Sequence, residues 1–225
     1  MPFQFFYASD IRSRFPQLCS GVFLLEKIDA KADSASEISR FKSIADQRLA
    51  ASSEAEFAEI QAWRRAFSAM GIKPTQYRCA SEALLRRYRK EGALPVLHPL
   101  IDLCNAASLA FAIPIAVFDT GRITGALTVR LAQGDEVYEA FSGETEHPDP
   151  GEIIFADEAR RAHARRWTNR QSGLSAIRSS SNCALIVAEA LHETAESDVA
   201  SLMSELGEAL RITWPGCALK TVKPR

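Results

Sequence analysis

Apolar positions along this chain follow two rhythms, and the change near Pro114 divides it. Upstream, the spacing is mostly helical. Ile38, Phe41, Ile44 and Leu49 recur behind a Ser34/Glu37 capping-box spacing. Phe57, Ile60, Trp63, Phe67 and Met70 form a stripe behind Ser53/Glu56, closed by Gly71 and Pro74. Ser81 opens a third helix, SEALLRRYRKEG, ended by Gly92 and Pro95. A fourth begins at His98-Pro99, with proline at the first helical position, and stops at Ile113-Pro114. Two strands precede these helices, Phe3 to Tyr7 and the apolar Leu18 to Ile28.

Downstream the period shortens to two. Strands are predicted at 114–119, 126–131, 137–141, 152–156 and 183–188, with a less regular one at 162–168. A closing helix runs from Ser197 to Leu210, with Val199, Leu202, Met203, Leu206 and Leu210 on its core face. With no repeat and no linker, the pattern predicts one α+β domain over 1–225, a layered and mostly antiparallel sheet covered by helices. Within it, 1–93 is an N-terminal segment of strands and helices packed on the core, 94–191 the core and 192–225 a C-terminal helix and tail.

Composition narrows function only by exclusion. A net charge of −1 and 24% charged residues describe an ordinary globular chain. No apolar run is long enough for a membrane span, and the N-terminus has no secretory pattern, so a cytoplasmic location is expected. Five scattered cysteines and four scattered histidines suggest reduced thiols and no sequence-local metal site. No cofactor or metal is expected. Phosphate-loop, dinucleotide, nucleophile-elbow and zinc-protease signatures are all missing from the sequence.

Three clusters of side chains carry possible chemistry. Asp102, Asn105 and Ser108 lie on the fourth helix within an otherwise apolar segment. They either tie it to the next strand or line a ligand pocket. Residues 160 to 170 hold five arginines, His163 and Trp167 and lead into Gln171 and Ser172. Trp167, Arg170, Gln171 and Ser172 suit phosphate, nucleotide or carboxylate recognition, unless Asp149, Glu152, Asp157 or Glu158 neutralise the arginines. Arg86, Arg87, Arg89 and Lys90 form either a solvated helix face or a nucleic-acid patch.

One resemblance joins these clusters. The runs PLIDLCNAASLAFAIPIAVFD and ITGALTVRLAQGDEVYEAF resemble the B3/B4 editing module of the phenylalanyl-tRNA synthetase β subunit. In that family a V-D-x-x-N-Y helix leads into a P-x-H-A-F-D strand, an I-x-V-R-x-A strand and a late glutamate-bearing strand. Ile101-Asp102, Asn105, Pro114, Phe118-Asp119, Val129-Arg130 and Glu136 match in order. The upstream W-R-x-A-F, G-I-x-P and S-E-A-L-x-R-R segments look like free-standing members. Two departures stand out: Ala116 replaces the family's strand histidine, and Trp167 to Ser172 replaces a Gly-Gly-Glu segment whose glutamate reads a tyrosine hydroxyl. The resemblance implies a trans-editing hydrolase of mischarged aminoacyl-tRNA using a positioned water. Its partners would be the aminoacylated 3′ end of tRNA and the amino acid it carries, with Asn105 in the pocket. The alternative is a non-catalytic tRNA-binding or amino-acid-binding module of the same fold. The sequence leaves the amino acid, a general base and the oligomeric state unassigned.

Overall fold

A computed structural model describes residues 3–225. In chain order the elements are β1 (Phe5–Tyr7), α1 (Ser9–Arg14), β2 (Cys19–Glu26), α2 (Ala35–Ala51), α3 (Ala58–Ala69), α4 (Ala80–Glu91) and α5 (Pro99–Phe111). There follow β3 (Ile115–Asp119), β4 (Leu127–Leu131), β5 (Tyr138–Glu139), β6 (Thr145–Glu146), β7 (Ile153–Ala156), β8 (Ala162–Arg165), β9 (Arg170–Gln171), β10 (Cys183–Ala190), α6 (Ala195–Thr213) and β11 (Ala218–Thr221). The strands build two main sheets, ordered β1-β4-β7-β8-β9 and β11-β2-β10-β3, plus the β5-β6 ribbon. All named pairings are antiparallel except β1 with β4. The layered α+β architecture is therefore as the sequence pattern predicts.

Parity along β10 explains how the layers meet. Leu185 and Val187 pack into one core with Phe5, Tyr7, Leu127, Val129 and Phe155 of the five-stranded sheet and Trp63 of α3. Ala184, Ile186 and Ala188 face a second core formed with Leu100 and Leu103 of α5 and Leu202 and Leu206 of α6. A strand buried on both faces needs the near-continuous apolar run seen here. Period two then places Glu189 on the inner face, beside Val187, where no residue reaches solvent freely.

Element ends follow local chemistry. Ser53 and Glu56 do form a reciprocal capping box, but it closes a single 3-10 turn, Glu54–Glu56, and α3 begins two residues later. At α2 the cap on Ala35 N–H comes from Asp33 Oδ1 at 2.9 Å, while the Ser34 side chain makes no cap bond. Ala112, with φ 55°, ends α5 in the left-handed region before Pro114 arrives. Four short elements escape the sequence pattern: α1, β6, β9 and β11 have too few residues for periodicity to register. The strand predicted at 162–168 ends at Arg165, because Arg166 and Trp167 both turn left-handed, with φ 47° and 57°.

Candidate functional site at the seam of the two sheets

Trp167 is the residue through which the site is built. Consecutive left-handed backbone at Arg166 and Trp167 is uncommon for bulky residues and costs roughly 1–3 kcal/mol per residue. It is the conformation a glycine pair would take freely, at the place where the family resemblance expects glycines. The turn drives the indole inward to full burial. There it meets Trp63 edge-on at 5.0 Å and Phe15 at 4.9 Å between ring centroids. Such pairs favour edge-to-face contact, and three aromatic rings lock one another.

The indole N–H donates to Glu189 Oε1 at 2.8 Å, and the Tyr7 hydroxyl donates to the same oxygen at 2.8 Å. Glu189 is only 1% exposed. Burial pushes its carboxyl up to about 7, against the pull of Trp167, Tyr7 and the more distant Arg12 guanidinium. Burial, then Glu189 itself, lifts Tyr7 well above the ordinary phenol range, so Tyr7 remains a donor at any physiological pH.

Beside this carboxyl lies a cavity with about 50 Å³ of water-accessible space. Pro114, Ile115 and Ala116 form one wall, Phe155 and Ala164 another, and Trp167 to Gln171 the third, with Ala80 and Glu189 completing it. Thr168 carbonyl accepts from Ala80 N–H at 2.8 Å, which docks the start of α4 on the rim. Gln171 Nε2 donates to Val117 O at 2.6 Å, which fastens this side chain to β3. Arg170, 42% exposed, stands at the outer end and pairs with Glu146 at 2.8 Å.

The residues singled out by sequence fall into separate places. Trp167, Arg170 and Gln171 line the seam cavity. Asp102 and Asn105 instead line an open groove of about 650 Å³ between α5, the 30–42 segment and Leu94 to Pro99. Asp102 is tied down by accepting from Leu97 N–H at 3.0 Å, and burial raises its carboxyl above the usual range. Ser108 donates to Ile113 O at 2.7 Å, so its hydroxyl secures the end of α5. Ser172, fully buried, donates to Glu139 O at 2.8 Å and so holds strand to strand. Neither Ser108 nor Ser172 lines the cavity or the groove, and for Ser108 the bond matches the tying role that the sequence left open beside a pocket.

The arginine-rich stretch is also corrected. Arg165 is buried and grips Glu152 at 2.8 Å and Glu146 at 2.6 Å, and Arg160 pairs with Asp135. With Arg170 also on Glu146, acids thus pair with three of the five arginines in this run. On α4, Arg86 and Arg89 both reach the buried Glu54, at 3.4 and 3.0 Å, and Arg87 reaches Glu91 at 2.8 Å. The helix keeps its half-exposed guanidinium groups, and Lys90 adds an exposed amine. Burial raises the thiols of Cys79, to about 11, and of Cys104, which suits inert cysteines. One set of potential metal ligands does converge among the described residues, Glu59, His192 and Asp198. Arg48 already supplies a cation there, 2.7 Å from Glu59.

Glu189 is the candidate site residue that sequence reading passed over. Its signal was present: a lone carboxylate at the end of an otherwise apolar central strand has to be paid for by partners.

Residues 62–206, well over half of the chain and running from α3 into α6, match the model of the B3/4 domain family. The chain belongs to the B3/4 domain family. The match takes in every residue lining the seam cavity, while Tyr7 and Phe15 reach it from outside the matched region. The B3/4 chain is 34% identical over 76 residues to the phenylalanine–tRNA ligase β subunit of Cereibacter sphaeroides, covering 34% of this chain and 9% of that protein. It is 36% identical over 77 residues to the corresponding subunit of Zymomonas mobilis, covering 34% and 10%. The matched stretch spans about a tenth of the length of these curated relatives. In structure, the B3/4 chain superposes along 100% of its length on 52% of an N-terminal fragment of the phenylalanyl-tRNA synthetase β subunit from Pyrococcus horikoshii, with a TM-score of 0.54 at 9% identity. At that identity the likeness concerns the fold.

Proposed function

We propose that this B3/4 protein is a trans-acting hydrolase that deacylates mischarged aminoacyl-tRNA, with the acyl side chain entering the seam cavity. The observation that carries this reading is a convergence. Ala116 and the Trp167 to Gln171 segment, the two places where the sequence departs from the synthetase pattern, line one cavity together with a buried carboxyl. A pocket altered at its specificity walls but kept on the same scaffold fits an enzyme retuned to another acyl group. Editing by a second site is useful wherever a primary pocket separates near-isosteres by only about 1–3 kcal/mol.

In this reading water is the nucleophile, held at the cavity mouth by polar groups, and the cavity fixes the ester so that attack is aligned. No side chain is assigned as a base. The RNA would follow α4, which begins at the cavity rim with Ala80 and carries Arg86, Arg87, Arg89 and Lys90 roughly 9–15 Å further along its axis. The groove holding Asp102 and Asn105 would in this reading lie beside the bound tRNA end without taking its acyl group. A panel of mischarged tRNAs, followed for loss of the ester, tests the reading: accelerated loss for at least one species is expected, and buffer rates throughout would refute it.

One observation favours a second reading, a non-catalytic module that binds tRNA or an amino acid. Glu189 Oε1 is already held by Tyr7 and Trp167, and the cysteines near the cores are poor thiolates. Salt-sensitive tRNA binding without turnover would select it.

A further inference from the structure

We infer that the seam cavity takes a short, hydroxyl-bearing acyl side chain, of the seryl or threonyl kind, and excludes aromatic ones, with Trp167 as the steric limit. This deepens the reading above and rests on it for the identity of the ligand as an aminoacyl group.

Size is the first argument. About 50 Å³ of water-accessible space holds roughly three or four waters. An aromatic side chain presents about 150–250 Å² of surface to be covered, far more than such a space offers. The walls do not yield readily. Trp167 is pinned by Trp63, by Phe15 and by its bond to Glu189, and swinging it out would break all three. Tyr7, which supplies the other hydrogen bond to that oxygen, is itself buried and held against Phe5 at 5.2 Å.

Polarity is the second argument. Trp167 and Tyr7 both donate to Oε1 of Glu189, while Oε2 accepts from no described residue and is not one of the fully enclosed atoms left unpaired. Thr168, on the same wall, has a buried hydroxyl with no partner. Buried polar groups left unpaired in a native structure call for a missing partner. A ligand hydroxyl answers both, because it can donate to a carboxyl oxygen and accept from a threonine. A purely apolar group of the same size would leave both unsatisfied, and sites built to bond a hydroxyl discriminate strongly against analogues that lack it.

The test uses the whole protein and non-hydrolysable ligands, 3′-aminoacylamido-3′-deoxyadenosines carrying seryl, threonyl, alanyl, phenylalanyl and tyrosyl groups, with affinities from calorimetry. Seryl or threonyl is expected to bind at least tenfold tighter than phenylalanyl and tyrosyl, with alanyl between them. Thr168→Val should abolish the advantage of seryl over alanyl, with the two ligands binding within about twofold of one another. Trp167→Ala should bring the aromatic ligands level with or above seryl. Should that variant fail to fold, the ranking on the native protein and the Thr168→Val comparison still decide. Tyrosyl or phenylalanyl binding as tightly as seryl, or no ligand binding at all, overturns the inference. Selective binding of the small ligands with no ester cleavage upholds it and rejects only the hydrolase. Cleavage that prefers aromatic esters does the reverse.

Discussion

The seam cavity and the α5 groove invite comparison, since both hold polar side chains beside apolar walls. The groove is wide, open and made from two nearby stretches, residues 30–42 and 94–106. The cavity is small and built around a carboxyl, and its parts come from far apart: Tyr7 and Glu189 lie 182 positions from one another, and Ala80, Ala116 and Gln171 come from three further elements. Polar groups in the groove are satisfied locally, as Asp102 is by Leu97. In the cavity the carboxyl is raised to about 7 by burial, and the backbone is strained to deliver its partner. Strain and desolvation together mark the place where the fold gives up stability for something other than stability.

The comparison can be broken by mutation. The largest effect should come from Trp167→Ala, which removes the hub of the aromatic cluster and a donor to Glu189. A loss of about 3–5 kcal/mol is expected by chemical denaturation, while Asn105→Ala in the groove should stay within about 0.5 kcal/mol. Equal losses would erase the distinction.

A somewhat smaller effect concerns pH. Glu189 titrates at about 7 in the folded chain against an ordinary 4.5, so the folded state holds its proton longer than the unfolded state. Between those values the native protein binds more protons, and stability therefore falls as pH rises from about 4.5 to 7, then levels off. Glu189→Gln keeps an acceptor for Tyr7 and Trp167 and removes the titration. Its stability relative to the native protein should rise by on the order of 3 kcal/mol across that window, read from unfolding curves at pH 4.5 and 8. A constant difference would show that Glu189 is not the titrating group.

The smallest effect sharpens the proposed RNA path. Arg86→Glu with Arg89→Glu should weaken tRNA binding and lower the slope of log affinity against log salt by about 2, while leaving the binding of a small aminoacyl-adenosine analogue unchanged. An unchanged slope would take α4 off the path.

How much of this could be read from the sequence follows the same division. Long helices and the double-sided strand β10 were legible because their periods persist over many residues, as along Ile60, Trp63 and Phe67. The helix carrying Asp102 and Asn105 was legible for that reason too. The cavity was only partly so. Trp167 and Gln171 drew notice through an unusual local composition, but alternation failed at Arg166, where tertiary packing imposes a left-handed turn that no propensity favours. Glu189 lies one residue beyond the predicted end of its strand at 188, and although the strand ending at Tyr7 was predicted, nothing local linked Tyr7 to a carboxyl 182 positions away. Arg86 and Arg89 looked free because their acid, Glu54, is remote in sequence, whereas Glu152 was already among the acids weighed against the arginine run and Glu146 was not.

The central claim is that the acyl group is read in the seam cavity and not in the α5 groove. The most direct measurement is the initial rate of deacylation of the best mischarged tRNA by Ala116→Ile, which fills the cavity from β3 with a residue suited to a strand, beside Asn105→Ala. Both variants would first be checked for native thermal unfolding. The account predicts a loss of about a hundredfold or more for Ala116→Ile and about twofold or less for Asn105→Ala. The opposite ranking, with Ala116→Ile active and Asn105→Ala inert, would contradict it.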